Sequence, residues 1–210
     1  MVAETLLFSL PAGDDFLRGS FKSVEGSIGI VVLSRASAGV GEAENVCIEA
    51  FNGAGLSTFD IGLLTAREES FSDIRDNVPL LAGRLLDFIE HLKRRRAHPT
   101  RRRMAIYAED AASPAALRAA AERDNDIVAL ACRGGLIDRA GSLYLGALNS
   151  RLLFIAERGD AAFLSSARRA FDRIGCVRET ALIDGSAPGA DDAVARKAVR
   201  WFLAAFSSDD

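Results

Sequence analysis

The chain alternates short apolar runs with segments whose apolar residues recur every three or four positions, and this alternation constrains the fold most strongly. The runs "GIVVL", "MAIYA", "DIVALAC" and "RLLFIA" are almost continuously apolar, which is typical of strands buried on both faces of a parallel sheet. Between two of them, one apolar stripe at helical spacing predicts a long amphipathic helix: Leu81, Leu85, Phe88, Ile89 and Leu92. Two leading strands at 5–11 and 16–23 precede the alternation. The pattern predicts an α/β protein with a mostly parallel, twisted sheet of about eight strands and helices on both faces.

Length and composition favour one domain over residues 1–210. The chain has 210 residues and is 49% hydrophobic, enough for a sizeable core, and it contains no repeat, linker or low-complexity segment. The N-terminal "MVAETLLFSL" does not resemble a signal peptide, and no apolar run approaches the roughly 20 residues that span a bilayer. Cys47, Cys132 and Cys176 are widely spaced, as in reduced thiols. We therefore expect a cytoplasmic protein without a membrane partner.

The charge of the chain argues against nucleic acid as a partner. The formal net charge is −3, and the basic residues concentrate in segment 93–103, "KRRRAHPTRRR", which carries seven cations. One interpretation is a helix C-terminus followed by a solvated loop. The other is a patch for anionic partners, but no aromatic residues interleave with the cations, so nucleic acid is not expected. The sequence also lacks metal-ligand spacing, a phosphate loop and a Rossmann glycine pattern, so we expect neither metal nor cofactor.

The stretch "IYAEDAASPAAL" runs from an apolar strand into a helix and allows two interpretations. In the first it is an ordinary helix start, with Ser113 as N-cap and Pro114 at the first helical position. In the second it is a nucleophile elbow that holds Asp110, because small neighbours such as Ala111 and Ala112 suit the tight turn that an elbow requires. The pattern alone leaves both open, and Ser113 is a further candidate nucleophile.

A second strand end contributes candidate pocket residues. In "ACRGGLIDRAG", Cys132 and Arg133 follow the run "DIVALAC" and are expected near the mouth of a pocket, because ligands in such sheets collect at the carboxyl ends of the strands. Cys132 is either a reactive thiol or, as is common for a cysteine in a buried strand, a packing residue.

Several stretches resemble the dienelactone-hydrolase-like branch of the α/β-hydrolase fold. "PAGDDFLRGSF" is similar to the opening hairpin of that family, "GIVVLSRASAGVGEAEN" to its third strand and oxyanion loop, and "MAIYAEDAASPAALRAAAER" to its elbow strand and helix. "NGAGLSTFDIGLLT" and "DIVALACRGGLIDRAG" also resemble family segments. The similarity extends from about residue 5 to 206 and implies an α/β-hydrolase fold.

The resemblance also implies positions for the catalytic groups. Asp110 stands where the family has its Ser or Cys nucleophile, with Ala111 next to it. Asp160, in "AERGDAAFL", stands at the position of the acid. Arg35 and Ala36 replace the His-Gly pair that often opens the oxyanion loop. The resemblance therefore predicts a site with two aspartates in catalytic positions.

The catalytic base is missing from the place where the resemblance implies it. The base should follow the last strand, in "LIDGSAPGADDAV", where Pro188 or a neighbour stands instead of a histidine. The chain contains only His91, in the predicted amphipathic helix, and His98, in the Arg-rich segment. Both are expected away from the carboxyl ends of the strands. An ionised aspartate can attack an electrophile unaided, but water must be activated to release the resulting ester.

The sequence thus leads to two main functional hypotheses, and to a third in which the Arg-rich segment 93–103 binds anionic partners. The first is a catalytically degenerate α/β-hydrolase-fold protein that binds a small-molecule ligand, a second copy of itself or a partner protein. The second is an atypical hydrolase of small esters, lactones or halides, in which Asp110 is the nucleophile and Asp160 assists water.

Overall fold

The computed structural model describes residues 5–38, 42–94, 104–123 and 125–207, with only the backbone for 42–45. Eight strands form one sheet: β1 Thr5–Ala12, β2 Asp15–Lys22, β3 Gly29–Arg35, β4 Leu56–Gly62, β5 Met104–Glu109, β6 Ile127–Arg133, β7 Arg151–Glu157 and β8 Arg178–Ile183. Within these described ranges, seven α-helices accompany them: α1 Glu42–Gly53, α2 Ser72–Arg75, α3 Val78–Arg94, α4 Ser113–Glu122, α5 Ser142–Ala147, α6 Ala161–Phe171 and α7 Ala190–Ser207.

The sheet has the order β1-β2-β4-β3-β5-β6-β7-β8. Strands β1, β2 and β4 are joined antiparallel, whereas β4 and β3 and all later neighbours are parallel. The predicted α/β architecture with a mostly parallel sheet of eight strands is confirmed. Because parallel neighbours share their direction, the carboxyl ends of β3 to β8 lie at one edge of the sheet.

Helices cover both faces of the sheet and produce two cores. Apolar residues of α3, α4 and α6 pack on one face, and those of α1 and α7 pack on the other. The predicted stripe of α3 points into the first core, where four of its five residues are fully buried and Leu92 is partly buried. None of the helices in the described part of the chain is both long and apolar enough to cross a membrane.

Two short elements and one helix start differ from the sequence-based expectation. Helices α2 and α5 were not predicted, because four and six residues are too few to show a helical period. The N-cap of α4 is Ala112 rather than Ser113, because a 3₁₀ turn over Asp110–Ala112 leads directly into the helix. Ser113 is instead the first helical residue and is fully buried.

Candidate active site

Asp110 occupies a strained turn between β5 and α4. Its φ is +44°, and within the described part of the chain no other non-glycine residue has a positive φ. This left-handed conformation costs an L-residue roughly 1–2 kcal/mol and is found mainly where the surroundings enforce it. A strand, a sharp turn and a helix in direct succession have the geometry of a nucleophile elbow.

Two glycines at the end of β6 make room for this turn. A Cβ atom on Gly134 would lie 2.7 Å from Oδ1 of Asp110, and one on Gly135 would lie 2.1 Å from its backbone oxygen. Both distances are below van der Waals contact and both glycines have a positive φ, so a side chain at either position would be strained. The adjacent glycines after a buried strand are the signal in the sequence for this packing, which sequence reasoning did not connect with Asp110.

A cleft of about 380 Å³ opens beside Asp110. Its walls come from the carboxyl ends of β5 to β8 and the start of α6: Glu109, Asp110, Arg133, Gly134, Ile155, Ala156, Glu157, Asp160, Phe163 and Ile183. Of the site residues predicted from the sequence, the structure thus brings together Asp110, Asp160 and Arg133. The cleft lies where ligands bind in open α/β sheets.

The structure closely resembles a known hydrolase. It superposes on the crystal structure of a dienelactone hydrolase from Anabaena variabilis with a TM-score of 0.87 and 27% sequence identity, over 98% of this chain and 99% of that chain. The protein has a dienelactone-hydrolase-like α/β-hydrolase fold. Neither a scan against models of protein families nor a search of curated proteins finds a match.

More distant structures share the α/β-hydrolase fold with this chain. Est1E from Butyrivibrio proteoclasticus has a TM-score of 0.77 and 9% identity, over 97% of this chain and 99% of that chain. A dienelactone hydrolase-like promiscuous phosphotriesterase from metagenomic libraries has a TM-score of 0.76 and 12% identity, over 98% and 99% of the two chains. At these identities the likeness shows the fold alone.

Asp160, which the resemblance places at the position of the acid, caps a helix in the structure. It is the N-cap of α6, and its Oδ1 accepts a hydrogen bond from the backbone N–H of Phe163 at 2.9 Å. Such a cap satisfies one of the backbone donors that a helix leaves open at its start. One carboxylate oxygen of Asp160 is therefore engaged in holding α6.

Arg133 links three elements at the wall of the cleft. Its guanidinium contacts Asp191 in the first turn of α7 at 2.6 Å and Glu109 at 3.5 Å. The hydroxyl of Tyr107 donates to Glu109 at 2.8 Å. Burial works to lower the pKa of Arg133, but Tyr107, Glu109 and Asp191 together outweigh it and raise the pKa. Arg133 therefore remains a cation and fixes β6 to β5 and α7.

Four predicted site residues do not line the cleft: Arg35, Ala36, Ala111 and Cys132. Arg35 is 5% exposed and forms an ion pair with Asp60, which is 1% exposed. Ala36 packs against the first core, and Ala111 is half-buried in the 3₁₀ turn. The prediction placed Arg35 and Ala36 at the oxyanion loop, but the alternation of strand side chains directs Arg35 to the same side as Leu33, toward α1 and α7.

Cys132 differs from the expectation of a residue at the pocket mouth. Its side chain is fully buried in the first core. Successive side chains of a strand point to opposite faces, so Arg133 points the other way and lines the cleft. Burial raises the pKa of the Cys132 thiol to about 12, although a hydrogen bond with Ser113 opposes the shift. Since the thiolate is the reactive form, Cys132 is a packing residue.

The described histidine lies at the opposite edge of the sheet from Asp110. Near the end of α3, Lys93 contacts Asp126 at 2.8 Å, and the backbone oxygen of Asp126 accepts from the N–H of Met104, where β5 begins. His91 therefore lies near the amino ends of the strands. At about 3.3 Å per residue, β5 places roughly 17 Å between that edge and Asp110. His98 lies outside the described residues.

The loop after β8 holds no histidine at the position of the base. It spans residues 184–189, and Oδ1 of Asp184 accepts hydrogen bonds from the backbone N–H and the hydroxyl of Ser186. Pro188 stands in this loop, as the sequence indicates. Within the described residues, no imidazole therefore stands beside the strained turn of Asp110.

Proposed function

We propose that this protein is a catalytically degenerate α/β-hydrolase-fold protein that binds a small organic molecule in the cleft beside Asp110. The observation that carries the proposal is the strained backbone of Asp110, at φ +44°, in a site whose base loop 184–189 contains no histidine. In a hydrolase of this fold the elbow positions the nucleophile, whereas the histidine that is missing here would transfer protons.

The missing base has a larger effect on chemistry than on binding. A positioned acid–base group typically contributes about 10²–10⁴-fold to rate, and it is needed to activate the water that releases a covalent intermediate. Binding needs only a shaped cleft. The backbone of Asp110 is strained by roughly 1–2 kcal/mol beside this cleft, and such strain occurs mainly at functional sites. The strain therefore supports a cleft that still binds a ligand.

The walls of the cleft suit a small, partly apolar molecule. Phe163 and Ile183 offer apolar surface, and Arg133 and the carboxylates offer polar groups. A volume of about 380 Å³ falls in the range of small-molecule sites. The free cysteines, two of them buried, support a reducing compartment such as the cytoplasm.

Binding in the cleft is tested with two neighbouring residues of β8. Ile183 lines the cleft, whereas Leu182 is exposed and points to the other face of the sheet. In a thermal-shift screen of short esters, lactones and haloalkanes, we expect a compound to raise the Tm of the wild type and of Leu182→Trp but not of Ile183→Trp, where the indole fills the cleft. Binding to the folded state alone accounts for such a rise.

Two results would contradict the proposal of a binding site in this cleft. The first is an equal rise in Tm for Ile183→Trp and for the wild type, which would place the compound elsewhere. The second is the absence of stabilisation by every compound of the panel. Ligand-observed NMR on the same samples shows whether a stabilising compound remains chemically intact.

A second candidate function is an atypical hydrolase. The observation in its favour is that the carboxylates of Asp110 and Asp160 line the same cleft. Asp110 would displace a halide from an alkyl carbon to form an ester, or an alkoxide from an acyl carbon to form a mixed anhydride, the alkoxide taking its proton from solvent water. Water deprotonated by Asp160 would then hydrolyse that intermediate and release Asp110 as a carboxylate. The helix-capping bond of Asp160 competes with that second step. This candidate requires turnover that depends on Asp110.

A further inference from the structure

The two edge strands of the sheet differ in how they are protected against pairing. β8 carries the charged residues Arg178 and Glu179, and Glu179 contacts Lys197 of α7 at 2.5 Å. β1, "TLLFSLPA", contains no charged residue, although Leu6 is 52% and Leu7 is 85% exposed. Edge strands are normally guarded by charges, bulges or short length, because their free backbone groups bind further strands. β1 is an eight-residue edge strand that lacks the protection by charged residues seen in β8.

The hairpin register determines which backbone groups of β1 face outward. Ala12 lies opposite Asp15 across the two-residue turn, which begins with Gly13 at φ +64°. A two-residue turn closes on a hydrogen-bonded pair, and such pairs alternate along antiparallel strands. Every second residue from Ala12 therefore bonds β2, and the residues between them direct their backbone groups outward: Thr5, Leu7, Ser9 and Pro11.

The position of Pro11 agrees with this assignment. Proline has no N–H, and in a sheet it is tolerated where that position faces away from the neighbouring strand. Because Pro11 has no N–H, the part of β1 that can bond a further strand ends before it. The backbone N–H and C=O groups of Thr5, Leu7 and Ser9 are the donors and acceptors of that part. These three positions are symmetric about Leu7.

We propose that two copies of this chain pair antiparallel through β1, with the two-fold axis at Leu7. In this register Leu7 lies opposite Leu7 of the partner subunit, and Thr5 lies opposite Ser9 of the partner subunit. Leu6 then faces Phe8 of the partner subunit. Both exposed leucines become covered, and no like charges meet across the contact.

The properties of β1 favour a second copy of this chain as the binding partner. An isologous contact requires a surface that is complementary to itself, and an uncharged strand with symmetric donors meets that requirement. Phe16, 53% exposed on β2, pairs with Pro11 and shares the face of Leu7, so it adds apolar surface to the same face, four residues along β1 from the axis. The two sheets would continue through β1 as one sheet.

The association state provides the first test. In light scattering coupled to size exclusion at micromolar concentration, we expect the wild type at twice its 22.4 kDa mass. Leu7→Lys should weaken the dimer by at least about 10²-fold, because it sets two cations opposite each other and removes apolar burial. Leu143→Lys is the matched control, since Leu143 is 76% exposed on α5 and should leave the dimer intact. A monomeric wild type, or a dimer that Leu7→Lys does not weaken, overturns the proposal.

Cross-linking tests the register. Under mild oxidation Leu7→Cys should form a covalent dimer, because a hydrogen-bonded antiparallel pair has its Cα atoms about 5.5 Å apart, within disulfide range. Ser9→Cys alone should not, since its two copies are offset by roughly 13 Å, but a mixture of Ser9→Cys and Thr5→Cys chains should. Cross-linking of Ser9→Cys alone, or none for Leu7→Cys, overturns the assigned register. The wild type controls for its own cysteines, of which Cys47 and Cys132 are buried.

Discussion

Arg35→Met is expected to lower the free energy of unfolding by about 3–5 kcal/mol, measured by urea denaturation. Arg35 and Asp60 form an ion pair with side chains 6% and 2% exposed. Removing the guanidinium leaves the carboxylate of Asp60 without its counter-ion in a site that excludes water. The cost is the desolvation of that charge, which is larger than the net contribution of the ion pair.

A double variant separates this mechanism from a simple loss of packing. Arg35→Met combined with Asp60→Leu removes both charges, so it should be considerably more stable than the sum of the two single changes predicts. If Arg35→Met costs less than about 1 kcal/mol, or the double variant is as unstable as that sum, the pair does not behave as a buried ion pair. A large cost would support a structural role for Arg35 in place of the oxyanion-loop role that the sequence suggests.

Gly135→Ala is expected to cost about 3–5 kcal/mol of stability, by the same measurement. Gly135 has φ +87°, where an alanine is strained, and its Cβ would lie 2.1 Å from the backbone oxygen of Asp110. The clashing atom belongs to the backbone of the elbow, so no side-chain rotation relieves the contact. The substitution should therefore distort the turn that holds Asp110.

Gly83→Ala is the matched control for this change. Gly83 lies in α3, where a Cβ would meet no atom within 4 Å and the backbone is helical. Alanine there should stabilise the protein by roughly 0.5–1 kcal/mol, because it favours the helix over the unfolded chain. If Gly135→Ala were tolerated as well as Gly83→Ala, the packing of Gly135 against the elbow would not be required for the fold.

The fold could be predicted from the sequence because its elements carry strong local patterns. The apolar runs of β3 and β5 to β7 and the stripe of α3 are periodic signals that tertiary contacts reinforce. Short elements such as α2 lack such a signal. Ser113 and Pro114 indicated the helix start correctly to within one residue, but the preceding 3₁₀ turn changed the role of Ser113.

The candidate site was only partly predictable, because its geometry depends on contacts between distant segments. Asp110 was located from its small neighbours and the family resemblance, but its positive φ and its packing against Gly134 and Gly135 are visible only in the structure. Arg35 ends β3, and the alternation of strand side chains directs it toward α1 and α7, a direction that the resemblance does not indicate. The network of Arg133 with Asp191 joins residues 58 positions apart, which no local pattern reveals.

The most direct test of the missing base is product release by the wild type and by Asp110→Ala, measured side by side on short esters, lactones and haloalkanes. We expect the two proteins to release product equally, at no more than the rate without protein, because no described imidazole stands beside the elbow to activate water. Sustained turnover by the wild type that disappears in Asp110→Ala would contradict the proposal of lost catalysis.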